Sequence, residues 1–167
     1  MGSNIAPKEN ILHALESLKS DEKVSVTNIS SFYRTPPIDG KKQDDFLNGV
    51  FKLSTGITPG ILKRKILNTI EEKLRRERGT DKFASRTIDL DILLFGNMIF
   101  SEEGMKIPDP DIYARNFIAA PLRELDPHLV LPDSGTRIDA LAVSNETEKM
   151  HLEAEFTQML RERLFDE

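Results

Sequence analysis

The stretch SRTIDLDILLFG, from Ser85 to Gly96, constrains the fold of this chain more than any other part of the sequence. It has the composition of a buried strand. In an extended chain Ile88, Leu90 and Ile92 point to one face, while Asp89 and Asp91 point to the other. A domain that contains this strand must cover its apolar face and must also accommodate two adjacent carboxylates.

The two carboxylates have two explanations. Ionised side chains at this spacing repel each other, and a divalent cation relieves that repulsion. Mg²⁺ suits the site because it takes one or two carboxylates and fills its other positions with water and phosphate. Alternatively, the strand has one polar face at the edge of a sheet, or one aspartate pairs with Arg86 just before it. The residues alone leave both explanations open.

A basic run precedes this strand. From Lys73 to Arg86 the chain has six basic and two acidic residues, a local charge of +4, although the whole chain of 167 residues carries −5. Arginine binds phosphate oxygens through two-point contacts. Beside a magnesium site, the run indicates a polyphosphate ligand; taken alone, it is more typical of a solvated helix end.

The order of predicted elements indicates an α+β protein. Apolar residues recur at helical spacing after Pro7 and after Thr58-Pro59, where the prolines suit the first turn of a helix. The predicted elements are a helix over 7–20, strands over 24–35 and 46–54, a helix from 58 to about 76, the 85–96 strand, a short helix over 117–125 and an amphipathic tail over 145–164. This order predicts a ferredoxin-like sandwich, a mainly antiparallel sheet with helices packed on it.

Composition narrows the functional class. The chain has no cysteine, which excludes disulfides and a cysteine-built zinc site. Its negative net charge argues against nucleic-acid binding, and neither a signal peptide nor a membrane-length apolar run is visible. We therefore expect a cytoplasmic protein, monomeric, with small-molecule substrates and no membrane or nucleic-acid partner.

Five motifs in order resemble the 6-hydroxymethyl-7,8-dihydropterin pyrophosphokinase family. They are GSN at 2–4, SSFYRTPP at 30–37, FLN at 46–48, IE at 70–71 and the SRTIDLDILLFG block, with the resemblance reaching to about Pro132. The family transfers the terminal diphosphate of ATP to the hydroxymethyl group of a dihydropterin, giving AMP, in folate biosynthesis. The resemblance implies a catalytic domain over 1–144 and a helical extension over 145–167.

The resemblance also implies a role for each candidate residue. It assigns Asp89 and Asp91 to two Mg²⁺ ions, and it assigns Arg76, Arg78, Arg86 and Arg115 to ATP and the transferring group, with Lys82 beside them. Glu71 and Ile92 belong to the nucleotide pocket. Phe46 and Phe117 enclose the pterin, with Thr35, Pro37, Ile38 and Asn48 along its edge. By sequence alone, Phe46 and Phe117 are more typical of a core.

Three departures from the family pattern bear on function. The family's first strand, which ends in Leu-Gly-Ser-Asn, is reduced to Met1–Asn4, so we expect a truncated first strand and a chain that is incomplete or marginally stable. Asp109 stands where the family has histidine, which removes a nucleotide contact. The family's Arg-Trp-Gly-Pro-Arg is Lys82–Arg86, which retains a cation and an aromatic ring.

Two other functions remain as alternatives. A metal-dependent nucleotidyltransferase would use the same pair of aspartates but would transfer the nucleoside monophosphate. A non-catalytic ferredoxin-like binding module, or a decayed homologue, would be consistent with the missing strand and with Asp109.

Overall fold

A computed structural model describes residues 1–37, 42–75, 85–102, 104–143 and 149–165. The helices are α1 (Pro7–Lys19), α2 (Pro59–Ile61), a π-helical stretch (Leu62–Leu67), α3 (Asn68–Lys73), α4 (Asp111–Ala114), α5 (Asn116–Leu125), a 3₁₀ turn (Ile138–Ala140) and α6 (Ala154–Phe165). The strands are β1 (Gly2–Ser3), β2 (Val24–Ile29), β3 (Tyr33–Thr35), β4 (Phe46–Asn48), β5 (Phe51–Thr55), β6 (Phe100–Glu102), β7 (Met105–Ile107) and β8 (His151–Leu152). The α+β class is confirmed.

The long predicted helices form where their patterns place them. Pro7 opens α1, which buries Ile11, Leu15 and Leu18 as the helical spacing requires. Thr58 caps α2 by accepting a hydrogen bond from Ile61 N–H, and the π-helical stretch and α3 follow directly. No helix in the described part of the chain is long and apolar enough to cross a membrane.

The strands form three antiparallel groups in the described residues. Four strands pair in the order β1-β4-β3-β8, while β2 pairs with β5 and β6 with β7. The prediction of continuous strands over 24–35 and 46–54 was wrong, because each of these regions divides into two shorter strands. The first breaks before Phe32, whose backbone bonds to residues of the C-terminal segment, and the second breaks after Asn48.

The Ser85–Gly96 stretch is extended, but the prediction of a regular strand was wrong. Its pairing is a single bridge, in which Asp89 and Gly2 exchange backbone hydrogen bonds of 3.0 and 2.8 Å. The predicted alternation is confirmed, since Ile88, Leu90 and Ile92 are buried in the larger core. The bridge is made by Gly2, the first residue of the two-residue strand β1.

An open groove lies between β5 and the extended stretch. It has a volume of about 970 Å³, and Met1 lies among its lining residues. Leu18, Leu62 and Leu67 line it from the helical layer, and Leu122, Leu125 and Leu129 line it from α5 and the segment that follows. In the described part of the chain, β5 has β2 as its only strand neighbour.

The C-terminal segment packs on the same core as the rest of the chain. Phe156 and Leu160 on α6 are buried with residues of α1, β2 and β4. A second, smaller core contains Val50, Ile112, Leu122, Leu131 and Ile138. The division into a catalytic domain and an extension stays a prediction.

Candidate active site

A cavity of about 180 Å³ brings together side chains from the sheet, the extended stretch and α5. Of the predicted site residues, it is lined by Thr35, Phe46, Asn48, Arg86, Asp89, Asp91 and Phe117. These residues are up to 82 positions apart in the sequence, and the pairing of β4 with β1 and β3 places them at one end of the sheet.

One side of the cavity combines an amide with aromatic rings. Asn48 is 9% exposed and donates a hydrogen bond from Nδ2 to Thr35 Oγ1 at 2.8 Å. Phe46 and Phe117 are half-buried at the same cavity, and the Arg86 guanidinium carbon lies 5.9 Å from the centre of the Phe46 ring. Aromatic side chains can stack on a planar ring, and an amide can form hydrogen bonds with the edge of that ring.

Gly2 and Asn4 contact the residues on this side of the cavity and hold them in place. A Cβ at Gly2 would lie 2.4 Å from Asn48 Oδ1, so glycine leaves room for the Asn48 side chain at this point. Asn4 accepts a hydrogen bond from Arg86 N–H at 2.8 Å and donates to the Asp44 carbonyl at 3.1 Å. The Gly-Ser-Asn motif thus fixes β4 and the extended stretch relative to each other.

The other side of the cavity is acidic. Asp89 forms an ion pair with Arg86, and Asp91 accepts a hydrogen bond from Lys63 Nζ at 3.0 Å. The interpretation that pairs one aspartate with Arg86 is therefore realised in this structure. Lys63, which no sequence pattern indicates as a site residue, also reaches the Leu90 carbonyl.

Two further aspartates line the cavity, of which Asp109 was expected only as a lost nucleotide contact. Asp109 lies just before α4 and Asp111 is the first residue of α4, and Asp109 Oδ1 accepts a hydrogen bond from Asp111 N–H at 2.8 Å. Burial raises the pKa of Asp109 above its usual range. The nearby Asp111 and Asp91 charges add to this rise, and the hydrogen bond from Asp111 opposes it. A hydrogen bond of 2.9 Å from Asp109 N–H to the Leu93 carbonyl connects the two aspartates to the site. This contact depends on the fold and is not visible in the local sequence.

Glu71 and Ile92 lie behind the acidic side. Glu71 is fully buried, and its Oε1 accepts a hydrogen bond from Leu90 N–H at 2.8 Å. Ile92 is 8% exposed, belongs to the larger core and lines the open groove. Glu71 therefore supports the stretch that carries Asp89 and Asp91, and Ile92 packs that stretch into the core. The predicted contact of both residues with nucleotide stays a prediction.

The remaining predicted residues lie elsewhere. Pro37 follows β3, but it is Pro36 that lines the cavity. Arg115 lies between α4 and α5 and does not line the cavity. Ile38, Arg76, Arg78 and Lys82 lie outside the described residues.

The donor chemistry of the acidic side fits Mg²⁺. In the described residues, no group of three or more histidine, cysteine or acidic side chains is arranged to hold a metal ion by itself. Mg²⁺ does not need such a group, because it usually takes one or two carboxylates together with substrate phosphates and water. Asp89 and Asp91 are oxygen donors two residues apart at one cavity. Magnesium binding would have to compete with Arg86 and Lys63.

Comparison with known proteins matches this site to one family. The family model for 7,8-dihydro-6-hydroxymethylpterin-pyrophosphokinase (HPPK) matches residues 1–127. The chain is 35% identical over 138 residues to the 2-amino-4-hydroxy-6-hydroxymethyldihydropteridine pyrophosphokinase of Haemophilus influenzae, covering 80% of this chain and 83% of that protein. It is 37% identical over 134 residues to the protein of the same name from Pseudomonas aeruginosa, covering 80% and 82%.

A longer relative matches in part. The bifunctional protein FolKE of Lactococcus lactis is 36% identical over 126 residues, which cover 75% of this chain and 36% of that protein.

The fold and the cavity are those of an α+β enzyme that handles small molecules, and the chain belongs to the 7,8-dihydro-6-hydroxymethylpterin-pyrophosphokinase family. It is an ATP-dependent pyrophosphokinase, a transferase that acts on hydroxymethyldihydropterin in folate biosynthesis. The nucleotidyltransferase and the non-catalytic module are not favoured.

Proposed function

We propose that this chain transfers the terminal diphosphate of ATP to the hydroxymethyl group of 6-hydroxymethyl-7,8-dihydropterin in the cavity described above, releasing AMP. The observation that carries the proposal is the pairing of two surfaces in one cavity. An amide and aromatic side chains form one wall, and Asp89, Asp91, Asp109 and Asp111 form the other, with Arg86 between them. A substrate that is a planar heterocycle and carries the group that accepts the diphosphate needs both walls.

The aromatic side is the pterin site. Phe46 and Phe117 enclose the ring system, Thr35 and Asn48 bond its edge, and Pro37 and Ile38 complete the border. Support comes from the bond between Asn48 Nδ2 and Thr35 Oγ1, which leaves Asn48 Oδ1 as an acceptor beside Gly2. A site with fixed donors and acceptors discriminates strongly, because the wrong ligand leaves buried polar groups without partners.

The acidic side is the site of Mg²⁺ and ATP. Asp89 and Asp91 would hold two Mg²⁺ ions, which supply charge neutralisation for the phosphates when bound. Four carboxylates at one cavity repel a polyphosphate unless cations are present, so the charge of this wall supports the assignment. Arg86 reaches the same phosphates, and we assign Arg76, Arg78, Lys82 and Arg115 to them as well, with Glu71 and Ile92 supporting the nucleotide pocket.

The transfer is an in-line displacement. The hydroxymethyl oxygen forms a bond to the β-phosphorus of ATP, and the bond from that phosphorus to the oxygen bridging it to the α-phosphate breaks. The bond electrons leave with AMP, and Asp89 is our candidate acceptor for the hydroxyl proton. Positioning and charge neutralisation contribute more to such a reaction than a strong base does.

The fold proposed for this activity is a ferredoxin-like sandwich whose first strand is truncated. Gly2 pairs with Asn48 and with Asp89, so β1 already lies between two neighbours. Met1 and Gly49 also exchange backbone hydrogen bonds, both of 3.1 Å. Continued past Met1, the same register would pass between β5 and the extended stretch, which is where the groove lies.

We also propose that the protein acts as a monomer in the cytoplasm, without nucleic-acid or membrane partners. The net charge of −5 supports the absence of a nucleic-acid partner. Light scattering coupled to gel filtration would test the monomer, and a mass of twice 18.9 kDa would contradict it.

Metal-dependent nucleotide binding tests the proposed site. Calorimetry with a non-hydrolysable ATP analogue, with and without Mg²⁺, should show that Asp89→Asn and Asp91→Asn lose most of the magnesium-dependent affinity. Asp139→Asn is the matched control, since Asp139 is exposed and pairs with Arg137 away from the cavity. Magnesium-dependent binding that is unchanged in both variants would contradict the assignment.

A further inference from the structure

The C-terminal segment, residues 149–165, forms part of the sheet that carries the site. Its strand β8 pairs with β3, placing Leu152 opposite Tyr33 and His151 opposite Arg34. On its other edge β3 pairs with β4, where Thr35 lies opposite Phe46. The strand that carries Thr35 is therefore held between β4 and a part of the chain that the family match, which ends at residue 127, does not include.

The C-terminal segment also binds Phe32, the residue just before β3. Phe32 N–H donates to Thr157 Oγ1 at 2.9 Å, and the Phe32 carbonyl accepts from Glu153 N–H at 2.9 Å. Thr157 is 3% exposed, so the hydroxyl bond is shielded from water. Both backbone groups of Phe32 thus depend on residues more than a hundred positions away.

A charge cluster holds Arg34, the middle residue of β3. Glu153 Oε1 accepts from Arg34 Nε at 2.9 Å and lies 2.8 Å from Arg34 Nη2, while Glu153 Oε2 lies 2.8 Å from Lys8 Nζ. Arg34 directly precedes Thr35, and Lys8 belongs to α1. Glu153 therefore fixes β3 relative to the helical layer.

Packing links the same segment to Asn48. The Phe156 ring meets the Phe32 ring edge-on, with centroids 5.8 Å apart. Phe32 in turn lies against Gly49, where an added Cβ would be 2.6 Å from its ring. Displacing Phe32 would therefore disturb the backbone beside Asn48 as well as β3.

We propose that Glu153 and Thr157 are positioning residues for the pterin site. They act through Phe32 and Arg34 to set the position of Thr35, and so the hydrogen bond between Thr35 and Asn48. The inference rests on the proposed role of Thr35 and Asn48 in binding the pterin. The C-terminal segment is then required for pterin affinity and not only for stability.

A pair of substitutions at one position tests this role. Thr157→Val removes the hydroxyl with little change in shape, whereas Thr157→Ser retains it. We expect Thr157→Val to weaken pterin binding about fivefold, the loss of roughly one hydrogen bond, with ATP-analogue binding within about twofold of the parent. Thr157→Ser, which keeps the hydroxyl, should bind pterin as tightly as the parent. Calorimetry measures both dissociation constants, and thermal melts establish that each variant is folded at the assay temperature.

Glu153→Gln provides a second route that does not alter a buried residue, with Glu155→Gln as its control. Glu155 is exposed two residues later, in the first turn of α6, so the control makes the same charge change away from β3. Glu153→Gln should weaken pterin binding selectively, and Glu155→Gln should not. Equal pterin affinity of Thr157→Val and Thr157→Ser, or equal losses for pterin and ATP analogue, would overturn the inference while leaving the proposed function intact. A parent chain that binds no pterin would contradict the proposed function itself.

Discussion

Filling the groove beside β5 should stabilise the protein and strengthen its pterin site together. The change is the addition of five apolar, β-branched residues ahead of Met1. In the register of Gly2 with Asn48, these residues would lie opposite 50–54. Most residues that line the groove are apolar, which favours a strand without polar alternation.

The expected gain follows from the contacts that the groove offers. Alternation along β5 directs the backbone groups of Phe51 and Leu53 toward the new strand, because Gly49 already pairs with Met1 on that side. These hydrogen bonds, at about 0.5–1.5 kcal/mol each, offset much of the backbone ordering cost of about 1–2 kcal/mol per residue. Burying five Val or Ile side chains contributes about 1.5–3 kcal/mol each before side-chain entropy and the compactness of the unfolded chain reduce it.

A net gain of about 4 kcal/mol is therefore reasonable, and it corresponds to a rise in Tm of roughly 8–16 °C for a chain of this size. Burial also lowers the pKa of the Met1 amine, and the extension replaces that buried amine with a peptide bond. An extension of five serines is the matched control, since it moves the amine in the same way without apolar burial. Met1 and Gly2 line the active-site cavity, so pterin affinity should rise with Tm.

Differential scanning calorimetry and pterin titration of the parent, the apolar extension and the serine extension make the measurement. If the parent and the apolar extension melt at the same temperature, the groove does not accept a strand and the proposed completion of the sheet is wrong. A gain of equal size in the serine extension would attribute the effect to the amine alone.

Three further predictions concern single residues. Asn48→Ala should weaken pterin binding by about 1–3 kcal/mol and ATP binding far less; equal losses in titrations of both ligands would indicate general unfolding. Asp89→Ala or Asp91→Ala should lower kcat by at least about 10²-fold in a steady-state assay without unfolding the chain, and near-normal turnover at saturating Mg²⁺ would contradict the metal assignment. The hydrogen bond from Lys8, with help from Arg34, holds the pKa of Glu153 below its ordinary value of 4.5, so its contribution to stability is present above that pH and is lost as the pH falls through the folded-state pKa. In urea melts, Glu153→Gln should therefore be less stable than the parent at pH 7, and the difference should shrink below about pH 4.5; a constant difference would refute the ion pairing.

Local patterns predicted the parts of the fold that depend on local chemistry. The helices that begin at Pro7 and Asn116, and the buried alternation of Ile88 and Leu90, follow from spacing and burial alone. The break between β2 and β3 could not be predicted, because the residues within it bond to distant segments, such as Phe32 N–H to the hydroxyl of Thr157.

The residues of the site were predictable where a local spacing or a family motif identified them. The Asp-X-Asp spacing and the family motifs identified the residues at one cavity, including Asn48 and Phe117. They did not indicate Lys63 or Asp111, and they marked Asp109 only as a lost contact, because these side chains join the site through contacts between segments that no local pattern encodes. A charged residue that acts by meeting a distant partner looks, in the sequence, like any solvated charge.

The products of one reaction distinguish diphosphate transfer from nucleotidyl transfer. The protein is incubated with ATP, Mg²⁺ and 6-hydroxymethyl-7,8-dihydropterin, and the products are separated by mass. We expect AMP together with a pterin heavier by a diphosphate group, and no inorganic diphosphate. Inorganic diphosphate together with a pterin that carries the nucleoside monophosphate, or a pterin of unchanged mass, would contradict it.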